Sequence, residues 1–365
     1  MRRISHKWNQ YFIRRKKKYE KRLKRRGAKR KESKNGKKLS IVHNCSPTNI
    51  KLTAPENLNL THDADSTVKF FNEVRKIESP KIKNFSINFK TLRSISPSAA
   101  LMLTAEMDRL KIVRGTGIKV IDFKKWDPYI KILLRDMGMY NLLRIPNINE
   151  KSFKSIEDCS TEEKFVEFRS GNKVSGMDAV NFRSIIKEIT SFIPEDSNLQ
   201  IGLTEAMDNA LNHAYPDRYL ESSLLKKKQW WMLASFNPSS KKLTVMFYDQ
   251  GIGIPDSLPV KYTDYFNSLG ITDFFNTSHS KLIQISTTVG RSATKESHRG
   301  KGLDQIKSYI SNSNIENGYI KIYSNKGKYF YGRDVSFGEK EELQDLKQKI
   351  KGTLIEWQVC LKNKL

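Results

Sequence analysis

The sequence predicts an α/β protein made of two folded parts and a basic amino-terminal arm. Residues 40–150 have the order strand, helix, strand, helix. Residues 151–365 combine an amphipathic helix with strands that end in glycine-containing turns, and residues 1–39 are dominated by Lys and Arg. Strands that alternate with helices are typical of a sheet covered by helices. With 365 residues, the chain is long enough for two hydrophobic cores and a tail.

The amino-terminal arm carries most of the charge of the protein. Residues 1–38 contain 19 Lys or Arg and two Glu, a net charge of +17 out of +27 for the whole chain. Such a block repels itself, and we expect it to be disordered on its own. Clustered cations release counterions from phosphate backbones, so nucleic acid is the favoured partner, bound without sequence preference. An acidic membrane surface and a purely solubilising role are the alternatives.

The first folded part is predicted from four segments in residues 40–150. Residues 85–89 and 117–123 are predicted strands, and residues 98–109 and 128–143 are predicted helices with apolar faces. This βαβα order implies a parallel or mixed sheet with covering helices.

Composition favours a cytoplasmic protein without a membrane span. No apolar run reaches the roughly 18 residues of a membrane helix, and the charged amino terminus lacks the apolar stretch of a secretory signal. The chain has an odd number of cysteines, and the three are too far apart in sequence for a zinc pattern: Cys45, Cys159 and Cys360. They fit reduced thiols better than a disulfide framework.

The second part contains a predicted helix over residues 203–215 with an unusual polar face. At 100° per residue, Glu205, Asp208, Asn209 and Asn212 share one side, opposite an apolar side that would pack on a sheet. Asn is a poor residue for a helix interior because its side chain competes for backbone hydrogen bonds. We therefore favour a functional polar face over the alternative, a merely solvated one.

Two glycine-containing boxes lie at predicted strand ends. Residues 230–236 and 243–249 are predicted to form a β-hairpin that releases Asp249 into a tight turn with Gly251 and Gly253. A carboxylate at that position can accept a hydrogen bond from an amine, and the glycines would let a flat ring lie against the backbone. Alternatively, Asp and Gly form an ordinary strand-end turn. The second box, Gly352-Thr353, enters a closing strand, and its hydroxyl would reach the same pocket.

A third box is predicted to open a helix and to suit phosphate. A helix amino terminus offers free amide donors and the positive end of the helix dipole. Two cationic side chains add charge at the same place. The residues of this box are Arg299, Gly300, Lys301, Gly302 and Leu303.

In their order and in the elements on which they fall, the polar helix and the three boxes resemble the GHKL superfamily of ATPases, which includes gyrase B, sensor histidine kinases and anti-sigma-factor kinases. The resemblance covers roughly residues 160–365, hence the predicted domain 151–365, and implies the Bergerat ATP-binding fold, a two-layer α/β sandwich. ATP and Mg²⁺ are the implied cofactors. The resemblance implies that Asn209 coordinates the metal and Glu205 orients or deprotonates the attacking nucleophile.

The same resemblance assigns the remaining positions of the site. Asp249 would read the adenine amine, Gly251 and Gly253 would shape the ring pocket, and Thr353 would support the adenine end. The phosphates would be held by the third box, with residues 255–298 as a lid over the nucleotide. The phosphate-binding group comprises Arg299, Gly300, Lys301, Gly302 and Leu303.

These residues are compatible with three functions. The first is an ATP-dependent switch or ATPase coupled to a nucleic-acid or protein partner, with stress or phage defence as one setting. The second is a Ser/Thr protein kinase of the anti-sigma-factor type, and the third is a non-catalytic module that binds ATP and a partner. The presence of both Glu205 and Asn209 argues against the third.

The first folded part resembles, more loosely, a STAS domain of the anti-anti-sigma type. In that family a strand ending in Asp-Ser-x-Gly leads into a helix, and Ile95-Ser-Pro-Ser-Ala-Ala stands in that place here. Both Asp and Gly are missing, which argues against a phosphorylation switch at Ser96 or Ser98. An unrelated small α/β domain is the alternative, and an intramolecular contact between the two parts would report the nucleotide state.

Overall fold

The computed structural model describes residues 49–79, 81–82, 84–115, 120–145, 148–153, 162–174, 176–190, 198–222, 227–261, 276–287, 310, 315–334, 336 and 338–361. The basic arm predicted for residues 1–39 lies outside these ranges. The protein belongs to the mixed α/β class, as predicted. The described residues belong to one compact unit. Among the helices described, none has both the length and the apolarity needed to cross a membrane.

The amino-terminal part begins with two parallel strand pairs. Strands β1 (Asn49–Thr53) and β3 (Asn84–Asn88) pair with each other, as do the short strands β2 (Asn57–Leu58) and β4 (Ser94–Ile95). Helix α1 (Ala64–Lys76) connects β2 to β3. Helix α2 (Pro97–Arg114) begins where Ser96 accepts a hydrogen bond from the backbone of Ala99. The predicted strand 85–89 and helix 98–109 are therefore confirmed, and the pairing is parallel.

Two segments of the amino-terminal part differ from the prediction. The strand expected over residues 117–123 is wrong in its described part, because Asp122 has a left-handed backbone (φ 54°) and Phe123–Lys125 form a 3₁₀ turn. Phe123 instead packs against the ring of Trp126 at a centroid distance of 5.4 Å.

The helix expected over residues 128–143 is interrupted. It consists of α3 (Pro128–Asp136) and α4 (Met139–Leu143), separated at Gly138, whose φ of 80° ends the first helix. A further 3₁₀ turn follows at Glu150–Ser152.

The carboxy-terminal part is built on a five-stranded antiparallel sheet in the order β5-β6-β7-β9-β8. The predicted hairpin is confirmed as β6 (Trp230–Asn237) and β7 (Lys242–Asp249). Strand β5 (Lys164–Gly171) forms one edge. The closing strand is longer than expected, because β8 (Ile315–Asp334) and β9 (Gly338–Leu361) form an extended hairpin beyond the sheet.

Helices cover both faces of this sheet. One face packs against α5 (Gly176–Thr190) and α6 (Asn198–Asn209), which continues as a π-helical turn over Ala210–Ala214. The other face packs against the amino-terminal part, with α2 against β6 and β7 and α1 against β9. Trp231 and Tyr248 belong to that second core, and the indole N–H of Trp231 donates to Asp108 of α2 at 3.0 Å. The sheet is thus the middle layer of three.

Three further helices complete the described elements. Helix α7 (Asp217–Ser222) follows the π turn, and α8 (Ile254–Lys261) follows the glycine box after β7. Helix α9 (His279–Ser286) packs on the β8–β9 hairpin, where the imidazole of His279 accepts a hydrogen bond from the backbone of Lys326 at 3.1 Å. Helix α9 lies within residues 255–298, the region expected to form a lid.

A buried ion-pair cluster fills the contact between the amino-terminal part and the sheet. The carboxylate of Glu106 on α2 is fully buried and pairs with Arg75 of α1 and with Arg109, one turn further along α2. Arg75 also donates to the hydroxyl of Tyr248 on β7 at 3.2 Å. Breaking such a cluster from one side leaves an uncompensated buried charge, so this contact fixes how the two parts meet.

Candidate functional site

Three polar side chains form a row across the end of the sheet. Asp249 at the end of β7 lies opposite Thr353 of β9, which lies opposite Ser324 of β8. Each is two residues from a strand residue of the core that packs on α6, such as Phe247 on β7. Because side chains alternate along a strand, the row faces the same side as α6. The sequence predicted two of these residues and missed Ser324.

The carboxyl group of Asp249 is held by backbone donors. Its side chain is 5 % exposed and accepts hydrogen bonds from the backbone N–H of Gly251, at 2.8 Å, and of Thr353. Burial raises the pKa of Asp249 to about 7, although these hydrogen bonds oppose the shift. A carboxylate has about four lone-pair positions, so these two donors leave it able to accept from a further N–H group.

The glycines of the two boxes are required by close backbone contacts. A Cβ atom on Gly251 would lie 2.2 Å from the carbonyl oxygen of Ala214, at the end of the π turn. Gly352 has a φ of 77°, and a Cβ there would lie 1.9 Å from the carbonyl oxygen of Asp249. The family resemblance predicted that Gly251 and Gly253 shape a ring pocket, and it gave Gly352 no such role. In the structure, the glycines also let the strand end and the helix approach each other.

The polar helix leads directly to the glycine box. Glu205 and Asn209 are half-buried on α6, and Asn209 is its last residue before the π turn. The carbonyl oxygen of Ala214 accepts a hydrogen bond from the backbone N–H of Ile252 at 2.8 Å. The carboxy-terminal end of this helical segment is therefore anchored between Gly251 and Gly253. π turns within helices occur frequently at functional sites.

The π turn changes the expected polar row. Asn212 was expected beside Glu205 on a regular helix, but it lies within the turn, is exposed, and donates to Asp208 at 2.7 Å. Asn209 precedes the turn and keeps its helical position relative to Glu205. The described helix therefore retains Glu205, Asp208 and Asn209 of the predicted face, all within about one turn.

Two tyrosines that the sequence did not single out hold the strand end in place. The hydroxyl of buried Tyr215 donates to the carbonyl of Gln229 and accepts from the backbone N–H of Gln250 at 2.8 Å. Tyr219 donates to the carbonyl of Gln250 at 2.9 Å. Burial raises the pKa of Tyr215 well above its usual range, so it stays a neutral donor. The backbone beside Asp249 is thereby fixed on both sides.

A half-buried lysine lies behind the row. The ammonium group of Lys351 lies 4.2 Å from the centre of the Tyr219 ring. Burial, with repulsion from Arg75, lowers the pKa of Lys351 to about 8. Its positive charge also opposes the upward shift of the pKa of Asp249. Lys351 thus links the electrostatics of the row to the ion-pair cluster.

Two buried side-chain amides near the row are unsatisfied. Gln250 is 1 % exposed and Asn325 is 0 % exposed, and neither amide has a hydrogen-bond partner within the described part of the chain. Buried polar atoms are nearly always paired in folded proteins, so each unpaired amide calls for a specific explanation.

The predicted phosphate box lies outside the described residues, as do parts of the predicted lid. Its members are Arg299, Gly300, Lys301, Gly302 and Leu303. Within the ranges that the structure describes, no group of three or more His, Cys, Asp or Glu side chains could hold a metal ion. A metal ion bound by Asn209 would therefore need further oxygen ligands, and the phosphates of a nucleotide would supply them.

The sequence matches no protein-family model, and no curated protein matches it either.

Proposed function

We propose that residues 151–365 bind ATP with Mg²⁺ in the manner of a GHKL ATPase. The observation that carries the proposal is the Asp249 carboxyl, buried at the end of a central strand in line with Thr353. Keeping a carboxyl in such a place costs free energy, as its raised pKa reflects. An amine donor that needs an acceptor at this position, such as that of adenine, would explain why it is kept.

The residues present fit this ligand. After its two backbone hydrogen bonds, Asp249 retains acceptor capacity for an amine, and unsatisfied amides lie nearby. Asn209 would supply an amide oxygen to Mg²⁺, which prefers oxygen ligands and phosphate company. Glu205, one helical turn before it, would orient or deprotonate a water or hydroxyl group. ATP supplies a transferable phosphoryl group, and positioning with charge neutralisation is what its transfer requires of a protein.

The assignment of the amino-terminal part is also a proposal. Its parallel strand pairs with a crossover helix agree with a STAS-like arrangement. Ser98 is 3 % exposed, and Ser96 caps α2. These positions agree with the expectation that neither serine is a phosphorylation switch. We propose that this part senses the nucleotide through the sheet face that it covers.

An ATP-dependent switch or ATPase is the function that this geometry supports best. The amino-terminal part shares a core with the strands that carry Asp249 and Thr353. Because this core is closely packed, a displacement of these strands at the proposed pocket would also displace the residues that contact the amino-terminal part. A Ser/Thr kinase of the anti-sigma-factor type is the second candidate, favoured by the presence of a potential base at Glu205 beside Asn209.

Incubation with γ-labelled ATP and Mg²⁺ separates the candidates. Free labelled phosphate supports an ATPase, label on a partner protein supports a kinase, and nucleotide binding with neither supports a non-catalytic module. Asn209→Ala should abolish magnesium-dependent binding, whereas Asn212→Ala, at an exposed position of the π turn, should leave it unchanged. Glu205→Gln should stop phosphoryl transfer while binding persists, with Glu188→Gln on the exposed side of α5 as control. Full magnesium-dependent affinity in Asn209→Ala would contradict the proposal.

For the basic arm we propose a nucleic-acid partner. The net charge of +17 in residues 1–38 is sufficient for counterion release from a phosphate backbone. Deleting these residues should remove salt-sensitive retention of DNA and RNA of unrelated sequences. Retention that survives the deletion with the same salt dependence would place the contact elsewhere in the protein.

A further inference from the structure

Asn325 occupies an unusual position in the middle of a long strand. It lies in β8 at an irregularity of the β8–β9 pairing, where the register shifts on both sides of it. Its φ is 54°, in the left-handed region that residues other than glycine rarely adopt. Bulges of this kind occur often beside active sites, where they re-aim a side chain.

The carboxamide of Asn325 is buried without a partner. The residue is 0 % exposed, and neither Oδ1 nor Nδ2 makes a hydrogen bond among the residues that the structure describes. An amide buried in this way forgoes its hydrogen bonds to water and gains none in return. Together with the left-handed backbone, this is an unfavourable arrangement that nothing in the described structure offsets.

The carboxamide lies against the glycine box of the candidate site. A Cβ atom on Gly253 would lie 3.1 Å from Oδ1 of Asn325 and 2.8 Å from Oγ of Ser324. The hydroxyl of Ser324 accepts from the backbone N–H of Ile254 at 2.9 Å and lies 3.0 Å from the hydroxyl of Thr353. Asn325 is therefore the next residue after the row and touches the loop that Asp249 begins.

We propose that Asn325 is a specificity-determining residue that recognises the adenine base together with Asp249. This inference rests on the proposed function. A carboxamide offers one acceptor and two donors, which complement the 6-amine and the N7 atom of adenine. The second hydrogen of the amine is then available to the Asp249 carboxylate. Guanine would place an oxygen where the amine is, facing that carboxylate, so the pair selects adenine.

A purely structural role is the competing explanation, because Asn tolerates a left-handed backbone better than most residues. Asn325→Gly separates the two roles, since glycine adopts the same φ without a side chain. Lys241→Gly is the matched control. Lys241 also has a positive φ of 52°, but it lies in the exposed turn of the β6–β7 hairpin.

The experiment measures Kd by calorimetry for ATP and for 7-deaza-ATP, which lacks the N7 acceptor, alongside the thermal stability of the ligand-free proteins. We expect Asn325→Gly to weaken ATP binding by about 10- to 100-fold. In the wild type, 7-deaza-ATP should bind more weakly than ATP, and this difference should disappear in Asn325→Gly. The ligand-free variant should be as stable as the wild type or more so. Lys241→Gly should bind both nucleotides like the wild type.

Two results would overturn the inference while leaving the proposed function intact. One is unchanged ATP affinity in Asn325→Gly, with or without lost stability, which would identify a structural amide. The other is an equal difference between ATP and 7-deaza-ATP with and without the side chain. If the wild type bound no ATP at all, the proposed function itself would fall, and this inference with it.

Discussion

Asp249→Asn tests the centre of the proposed site with the smallest change in shape. The substitution keeps the size of the side chain but replaces a carboxylate, which only accepts hydrogen bonds, by an amide with a single acceptor oxygen. The carboxylate now accepts from the backbone of Gly251 and of Thr353. The amide would present N–H groups towards an adenine amine, so donor would face donor.

The expected loss of affinity follows from the charge of the acceptor. Hydrogen bonds to charged groups contribute roughly 1.5–3 kcal/mol, which corresponds to a roughly 10- to 150-fold higher Kd for ATP. The pKa of Asp249 is about 7 in the ligand-free protein. Below this pH the carboxyl is protonated, and ATP must displace the proton, so affinity should fall about tenfold per pH unit. In Asp249→Asn this pH dependence should vanish.

Stability should change in the opposite direction to binding. The folded-state pKa of about 7 lies above the ordinary value of 3.8, so the folded protein favours the protonated form. This contribution to stability is fully present below about pH 4 and is lost as the pH rises through 7. A shift of about three units corresponds to roughly 4 kcal/mol. That value is an upper limit for the gain of Asp249→Asn at pH 8, because its amide satisfies fewer backbone donors.

The assay is calorimetric titration with ATP and Mg²⁺ between pH 5.5 and 8.5, paired with urea unfolding of the ligand-free protein. Asp108→Asn is the matched control. Asp108 is also a buried carboxyl with a raised pKa, but it lies on α2 and accepts from the indole of Trp231 at 3.0 Å. Its substitution should leave ATP affinity unchanged. Wild-type affinity in Asp249→Asn, or an affinity of the wild type that is flat across this pH range, would refute the reasoning.

Two further predictions concern stability. Glu106→Gln should cost about 3–5 kcal/mol in urea unfolding, because it leaves the guanidinium of Arg75 without a carboxylate and removes one of the two carboxylates that pair with buried Arg109. Glu73→Gln, in an exposed ion pair, should cost less than about 0.5 kcal/mol, and equal losses would show that the cluster is not electrostatic. Gly251→Ala should cost about 1–3 kcal/mol, since its Cβ would meet the Ala214 backbone. Gly176→Ala, with open space around it, should be neutral or slightly stabilising, and a neutral Gly251→Ala would refute the tight contact.

The elements of the fold were predictable where periodicity was strong. The β6–β7 hairpin and helix α2 were found from their apolar patterns, whereas residues 117–123 were mistaken for a strand because Val120, Ile121 and Phe123 are β-formers. The packing of half-buried Phe123 against an aromatic cluster decided that segment, and local propensity does not report tertiary contacts.

The sequence did contain an indication that both faces of the sheet are covered. Every residue of β6 from Trp230 to Phe236 is buried, and the segment Trp230-Trp-Met-Leu-Ala-Ser-Phe shows little alternation. A continuous apolar strand is typical of a sheet covered on both faces. This pattern would have indicated that a further layer covers the second face.

The position of Asn325 in a bulge of β8, by contrast, could not be predicted from the sequence. The segment Ser324-Asn-Lys-Gly327 has the composition of a turn, and nothing local shows that the strand continues through it. The bulge is imposed by the pairing of β8 with β9, which joins residues far apart in sequence. Its role depends on contact with Gly253, another partner distant in sequence.

Alternation along the strands supplies a physical route for a nucleotide-dependent switch. Asp249 faces the proposed pocket, and its neighbour Tyr248 faces the amino-terminal part. The Tyr248 hydroxyl donates to the carbonyl of Lys351 at 2.9 Å and accepts from Arg75 of α1. Lys351 immediately precedes the Gly352-Thr353 box. Because the layers are closely packed, we expect a shift of either strand end on ligand binding to move the hydrogen bond between Tyr248 and Arg75 of α1.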